Sequence, residues 1–394
     1  MTRTHADLVA DLRADDAVPP AWVDVFAAVD RGAFIPARCW VDDRTGRPAP
    51  FDRVTDPDGW AAAVYSDRPI VTQLDDGATV WPDTSRNPTS SASQPSLVLA
   101  MLDALDVEPG RRVLEIGTGT GWNAALLATR LGDDHVTTVE LDAELADRAR
   151  RALKDAGVDP TVVTGDGTAG YPARAPFDRV ISTAAVAAGR IPLPWVEQTA
   201  RPGGQLLIPW RTTWGAAVLM KLIVHDGGTV IGSVAGDAYF MALRDHRAPW
   251  GHAARFGGLA EDSDLPATVT TLPPHQVAYD RDGMFAVGVQ VPDVQHSVAH
   301  DDSDADVWEL LLFHVDSGSW ATVRTTPDAT TAGRFEVRRH GPRRLWDEVE
   351  TAHGWWVGQG RPSRFEFGLT VTPDDQQVWL GEPDNTVTPV HVAD

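Results

Sequence analysis

Between about residue 97 and residue 244, short apolar runs alternate with longer stretches whose apolar positions recur at helical spacing. The runs RVLEIG (112–117), HVTTVE (135–140), PTVVTG (160–165), DRVIST (178–183) and GQLLIPW (204–210) predict strands. WNAALLATRL and AELADRARRALKDAG predict helices between them. This alternation predicts an α/β fold with a doubly wound parallel sheet, covered by helices on both faces. AAVLMKLIVHDGGTVIGSVAG (216–236) then places two apolar runs about an Asp-Gly-Gly turn, which predicts a hairpin and an antiparallel end to the sheet.

The flanks read differently. Residues 1–85 mix helical patterns with turn signals, as in WVDVFAAVDRG (22–32), and predict a helical segment that serves the catalytic domain, core 86–244, as a lid. Residues 245–306 are rich in Asp, Pro, Gly and His without clear period, and predict a linker. Beyond it WELLLFHVD, GRFEVRRH, RFEFGLTVTP and QQVWLG predict strands, and PRRLWDEVETAHG a helix with Pro342 in its first turn. Residues 307–394 therefore predict a small α+β C-terminal domain.

Charge narrows the partners. The 34 basic and 56 acidic residues leave a net charge of −22, which repels a phosphate backbone, so nucleic acid is not expected as a partner. No run of about 18 apolar residues is present to span a bilayer, and the N-terminus lacks the basic start and apolar stretch of a secretory signal. No membrane partner and a cytoplasmic location are the expectation. The single cysteine, Cys39, excludes an intramolecular disulfide and a multi-cysteine metal site. HSVAH (296–300) has the spacing of a metal pair, but Ser297 stands where H-E-x-x-H needs glutamate, so no metal is expected.

The strongest chemical signal is VLEIGTGTGW (113–122). Gly117, Gly119 and Gly121 follow an apolar strand and precede a helix, so the backbone turns sharply and presents free N–H groups to a small polar ligand. A dinucleotide fingerprint requires glycine at position 122, where Trp122 stands, and no G-K-[ST] follows for a phosphate loop. Glu140 ends the next strand, where a carboxylate accepts both hydrogen bonds of a ribose diol; Asp166, in GDG (165–167), ends the third, where it accepts from an adenine amino group. Singly, Glu115 reads as a surface strand residue, Glu140 as a helix-capping acid and Asp166 as a turn former. In order and at strand ends, they read as a nucleoside-binding edge.

SASQP (91–95), VLEIGTGTGW, GDG, APFDRVISTAA (175–185) and RPGGQLLIP (201–209) resemble, in order, the motifs of protein-L-isoaspartate O-methyltransferases. The likeness runs from about Val23, through GAFIP and YSDRPIV, to YFMALR near 244. It implies a class I methyltransferase sheet binding S-adenosyl-L-methionine and releasing S-adenosyl-L-homocysteine. The cofactor residues it implies are Glu115, Gly117, Thr118, Gly119, Thr120, Gly121, Glu140, Leu141, Asp166, Gly167 and Thr183. It also implies an active-site role for Ser93, with Gln94 beside it on the substrate side; Ser93 reads equally as the N-cap of PSLVLAMLDALD, and the two readings are compatible. The chain departs from the family just upstream, where DDGATVWPDTSRNPTSSA replaces a short link and is expected to form a lid.

A carboxylate is ionised at pH 7 and attacks a sulfonium methyl group directly, which fits the lack of a His or Lys motif beside the glycine loop. The expected partner is a peptide or protein bearing aspartate or isoaspartate. The long C-terminal region favours a dedicated modifier of a ribosomally made peptide, whose methyl ester closes to an aspartimide, over general isoaspartyl repair. The extended architecture also looks like that of actinobacterial methyltransferases of lanthipeptide and graspetide pathways. Trp308, Trp320, Trp346, Trp355, Trp356 and Trp379, with Arg334, Arg338, Arg339, Arg343 and Arg344, are the candidate peptide surface; the bland reading makes the tryptophans core and the arginines a solvated face. A small-molecule O-methyltransferase and a non-catalytic cofactor-binding module are the alternatives from other classes.

Overall fold

The computed structural model describes residues 2–42, 47–247, 252–261, 265–301 and 303–390. The N-terminal region is more than helical. Helices α1 (His5–Ala14) and α2 (Val23–Ala28) are followed by strands β1 (Arg38–Asp42) and β2 (Pro48–Asp52), helix α3 (Pro57–Val64), and strands β3 (Ile70–Leu74) and β4 (Pro88–Ala92). The strands make an antiparallel sheet in the order β2-β1-β3-β4. Its apolar positions are broken by Pro48, Pro50 and Pro88, so no period-2 alternation marks it in the sequence.

Helix α4 (Pro95–Leu105) leads into the parallel sheet, whose elements alternate as expected: β5 (Val113–Ile116), α5 (Trp122–Leu131), β6 (Val136–Glu140), α6 (Ala143–Asp155), β7 (Thr161–Thr164) and β8 (Arg179–Ser182). After the short β9 (Val186–Ala187) come α7 (Leu193–Glu197), β10 (Gln205–Arg211), β11 (Ala217–Val224) and β12 (Val230–Asp237). The parallel strands stand in the order β7-β6-β5-β8-β10. Strand order therefore reverses between β5 and β8, and a crevice opens at their carboxyl ends, where such sheets bind ligands. β11 and β12 flank a turn at Asp226–Gly228, the expected hairpin.

The chain divides into two compact units, of residues 1–185, 192–209 and 221–230, and of residues 186–191, 210–220 and 231–394. In the second unit lie α8 (His252–Glu261), β13 (Thr268–Thr270), α9 (His275–Ala278), α10 (Arg281–Gln290) and β14 (Gln295–His300). They are followed by β15 (Trp308–His314), β16 (Ser319–Thr325), α11 (Pro327–Ala332), β17 (Phe335–His340), α12 (Leu345–Gly358), β18 (Phe367–Val371) and β19 (Gln376–Leu380). An antiparallel sheet of order β13-β17-β16-β15-β14 is covered on one face by α10 and α12, through Val287, Val291, Val349 and Ala352. Phe256 of α8 packs with Phe313 and Trp320 in a second, smaller cluster.

Two expectations are corrected here. Residues 245–306 are no linker: β13 and β14 are the two edges of this sheet, and β14 pairs with β15 along its whole length. Edge strands carrying Gln, His and Thr lack the apolar alternation that a sequence reading uses. Residues 248–251, 262–264 and 302 of that span lie outside the described residues, as do 391–394 of the expected C-terminal domain. Helix α12 starts at Leu345, so Pro342 precedes the helix instead of occupying its first turn. HSVAH is the strand β14. Among the described residues no helix is long and apolar enough to cross a membrane.

Arg364 ties three elements of the second unit. It forks onto both oxygens of Asp237 at 2.7 Å, at the end of β12, and onto Asp282 at 2.7 Å, in the first turn of α10. These bonds hold the Asp237 carboxyl below its ordinary range. R364Q is expected to destabilise the protein by about 2 kcal/mol at pH 7, in urea unfolding, because it removes the cation paired with the part-buried Asp282 and leaves Asp237 with Arg281 alone, at 3.2 Å. An acid with a depressed folded pKa stabilises above its unfolded value of about 4 and ceases to as pH falls through the folded one, so the deficit shrinks below about pH 4.

Candidate active site

The glycine loop leaves β5 at the point where strand order reverses. Gly117, Gly119 and Gly121 have φ of +92°, +55° and +90°, a region that disfavours a side chain. A Cβ on Gly117 would also stand 2.7 Å from the Thr183 hydroxyl. That hydroxyl donates to the Gly117 carbonyl at 2.5 Å, so Thr183 braces the loop from β8 and has no proton left for a ligand. Thr118 is buried against Thr138, with 2.7 Å between hydroxyls. Of the loop threonines, Thr120 lines a cavity of about 190 Å³ together with Gly119, Thr72, Phe34, Ile35 and Leu145.

The acidic residues of the site occupy different environments. Glu115 is no surface residue: it is fully buried, takes a bond of 2.7 Å from Asn123, and leaves its second oxygen without a partner. Burial raises its carboxyl to about 7. Glu140 accepts from the Gly119 and Asp142 N–H groups at 2.8 and 3.0 Å, and burial raises its carboxyl above the ordinary range. Each Glu140 oxygen keeps one lone pair, which is what a vicinal diol needs, and two hydroxyl donors would offset the burial. Beside it Leu141 exposes 42% of its surface, an unusual amount for leucine at a strand end. Asp166 is exposed and caps Thr168 N with one oxygen at 2.9 Å. Gly167 is packed so closely that a Cβ would meet Ile116 at 2.7 Å. These residues fit the ribose and base of a nucleoside.

On the other side of the loop, the segment before α4 is held by two residues that no motif marked. Arg31 is fully buried and donates to the carbonyls of Val64, Ser66, Arg68, Ala92 and Ser93 at 2.6–3.2 Å. Its guanidinium lies 5.6 Å from the Trp122 ring centre, and burial pulls it to about 9. Asp67 accepts from Ser96 N at 2.9 Å and from the Gln94 amide at 3.0 Å. Asp67 therefore caps α4 from a distant segment, and the N-cap position itself is Gln94. Ser93 does not cap, so the second reading of Ser93 is corrected, while the Gln94 amide is engaged with Asp67.

The long connection before Ser93 is pinned. Trp40 donates to the Asp83 carbonyl at 2.9 Å, Trp81 packs on Trp40, Val71 and Leu74, and Arg38 stacks 4.7 Å from the Trp81 ring. Gln73 bridges Thr89 and Asp142, joining β3 and β4 to the cap of α6.

The C-terminal basic surface does not form as expected. Arg339 and Arg344 pair with Asp347 at 2.5 and 2.7 Å, Arg343 pairs with the buried Glu348 at 2.5 Å, and Arg338 pairs with Glu336 at 2.9 Å. Of those arginines Arg334 is exposed. Trp320, Trp346, Trp356 and Trp379 are buried in the unit they belong to. Acids of β17 and α12 neutralise the cluster: Arg338 and Glu336 pair within β17, Arg344 and Asp347 are an i,i+3 pair at the start of α12, and Arg339 and Asp347 join the two elements. Among the described residues no group of three potential metal ligands exists.

A sequence model described as protein-L-isoaspartate(D-aspartate) O-methyltransferase matches residues 56–248. A protein-L-isoaspartate O-methyltransferase of Pyrococcus horikoshii is 40% identical over 156 residues, covering 39% of this chain and 69% of that protein. One from Ignicoccus hospitalis is 43% identical over 141 residues, covering 35% and 65%. Among solved structures, a chain titled protein-L-isoaspartate O-methyltransferase aligns with a TM-score of 0.52 at 19% identity, covering 96% of this chain and 100% of its own. The class of fold is thus shared across both units.

Two outcomes are expected. G117A forces a positive φ on alanine and presses on Thr183, so S-adenosylhomocysteine binding, read by calorimetry, weakens about 10-fold, equivalent to about 1.4 kcal/mol. Glu115 has a folded pKa near 7, above its unfolded value of about 4.3, so it binds a proton in the native state that the unfolded chain has released. Native stability therefore falls as pH rises through that window. E115Q, neutral throughout, should gain in Tm relative to the wild type between pH 5 and pH 8; an unchanged difference would mean that Glu115 is ionised when folded.

Proposed function

The chain belongs to the protein-L-isoaspartate O-methyltransferase family, S-adenosylmethionine-dependent methyltransferases, and we propose that it methylates an aspartyl carboxylate of a ribosomally made, modified peptide to give an ester that closes to an aspartimide. When bound, the cofactor would supply an electrophilic methyl group whose leaving group is the neutral thioether S-adenosylhomocysteine. Glu140 would hold the ribose hydroxyls and Asp166 the adenine amino group, with Leu141 against the base. Gly117, Gly119 and Gly121 let the backbone approach the amino-acid portion, while their own N–H groups are held by the Val139 carbonyl, Glu140 and the Thr118 carbonyl. Arg31 and Asp67 position the Ser93 segment by its backbone, which leaves the Ser93 hydroxyl available to orient the attacking oxygen.

A carboxylate nucleophile arrives ionised, so the site requires alignment and exclusion of water in place of a general base. Ester formation converts a poor acceptor into an electrophile: the following backbone nitrogen attacks its carbonyl, loses its proton, and expels methanol as the ring closes.

The observation that carries the dedicated-peptide reading is the long β3–β4 connection directly before Ser93, ordered by Trp40, Trp81 and Arg38. An ordered wall, where the family resemblance implies a short link, narrows the range of peptides that fit. General isoaspartyl repair is the second reading. It is favoured by the solved isoaspartate methyltransferase that matches both units over its whole length, so a long chain is not by itself a mark of peptide tailoring.

Mass spectrometry of the full chain with S-adenosylmethionine separates the two. A linear isoaspartyl peptide and a cyclised, aspartate-containing precursor peptide are offered in parallel. Methylation of the cyclised peptide alone, followed by loss of methanol, is the expected result. Efficient methylation of the linear isoaspartyl peptide would overturn the dedicated reading and establish repair.

A further inference from the structure

Among the described residues four acids are buried: Asp52, Glu115, Glu140 and Glu348. Two of them have a cation. Asp52 pairs with Arg38 at 3.1 Å, and Glu348 pairs with Arg343 at 2.5 Å. Glu115 and Glu140 stand on either side of the glycine loop, and the charges that bear on them are negative: that of Glu140 on Glu115, and that of Asp142 on Glu140. Buried acids are thus paired away from the loop and unpaired beside it.

Glu115 is the more enclosed of the two. It lies in β5 opposite Thr138 of β6 and Ile181 of β8, two residues before Gly117. One oxygen takes the bond from Asn123, in the first turn of α5, and the other is buried without a partner. The Thr138 hydroxyl, 2.7 Å from that of Thr118, is the other neutral group that acts on it. From α5 and β6 the carboxyl therefore meets neutral groups and a second acid. An ionised carboxylate in such a place is costly, and burial raises Glu115 to about 7. A positive charge held over the loop acts on it through protein and not through water, where the same attraction would be screened.

We propose that Glu115 is the counter-charge by which the site tells the cationic cofactor from its neutral product: a neutral acid in the cofactor-free protein, it gives its proton to solvent when S-adenosylmethionine binds and regains one when the sulfur has become an uncharged thioether. Ionisation favours the sulfonium, and by reciprocity the sulfonium favours ionisation. The affinity for S-adenosylmethionine therefore rises with pH through about 7, whereas that for S-adenosylhomocysteine, which lacks the sulfur charge, does not follow it. The proposal rests on the cofactor of the family and not on the identity of the peptide.

The test uses the full chain as wild type and E115Q, without peptide. Calorimetric titrations with S-adenosylmethionine and with S-adenosylhomocysteine are run in phosphate and in Tris, whose different heats of ionisation reveal how many protons leave on binding. A group with its midpoint near 7 is half protonated at pH 7, so the wild type should release up to about half a proton more than E115Q with S-adenosylmethionine, and no such excess with S-adenosylhomocysteine. The ligands' own amino groups titrate with both proteins, and the comparison cancels them. Between pH 6 and pH 8 the preference of the wild type for S-adenosylmethionine over S-adenosylhomocysteine should grow by about 10-fold relative to that of E115Q.

Equal proton release by wild type and E115Q would make Glu115 a structural acid and overturn the proposal. An excess of the same size with both ligands would mean that Glu115 answers to a charge they share, and would overturn it too. If E115Q does not fold, N123A takes its place: it removes the one donor bonded to Glu115, so the pH of half-maximal release should move up, and an unmoved midpoint counts against the proposal. Binding of S-adenosylmethionine without methylation of any peptide would sink the proposed function, while the proton count would still decide the role of Glu115.

Discussion

Arg31 is a fully buried cation with no carboxylate bonded to it, and the geometry of the catalytic unit depends on how that charge is satisfied. Carbonyls from two separate stretches, Val64 to Arg68 and Ala92–Ser93, converge on one guanidinium. Each carbonyl that turns inward fixes the path of its own segment, and the Trp122 ring beneath ties the arrangement to the first residue of α5. The glycine loop and the Ser93 segment are therefore referred to one anchor. Asp67 lies close enough to favour the charged form of Arg31 while it caps α4, so the cation and the helix start stabilise each other.

The same problem, a charge withdrawn from water, is met in different ways across the protein. Glu140 is compensated by the N–H groups of Gly119 and Asp142, and each of its oxygens keeps one lone pair. Glu115 has one donor, and burial holds its carboxyl near 7, so the native state favours a neutral acid beneath the loop. Arg364 is matched by two carboxylates and works as a structural clamp. Satisfied charges of this kind fix segments in place.

The second unit changes how length should be read. A sequence of this size suggests a core plus a substrate-recognition appendage, with aromatic and arginine residues facing a peptide. In the structure those arginines are paired within their own unit and most of those tryptophans are core. An isoaspartate methyltransferase of known structure has the same overall fold over its whole length.

The sequence by itself determined the parallel sheet, the glycine loop after its first strand, and the acids at the ends of the next two. Those signals are local, because a strand needs a short apolar run, a turn needs glycine within a few residues, and a ligand-binding acid follows a strand end by chain order alone. Tertiary structure alone decided which carbonyls Arg31 meets, which helix Asp67 caps, and which side chain Arg339 meets. Arg31 and Ser93 stand 62 residues apart, and Asp67 and Ser96 stand 29 apart. The edge strands β13 and β14 likewise exist because β17 and β15 accept their hydrogen bonds. Periodicity records which face of an element is apolar, whereas the partner of a buried polar group is chosen by whichever distant segment folding brings within about 3 Å.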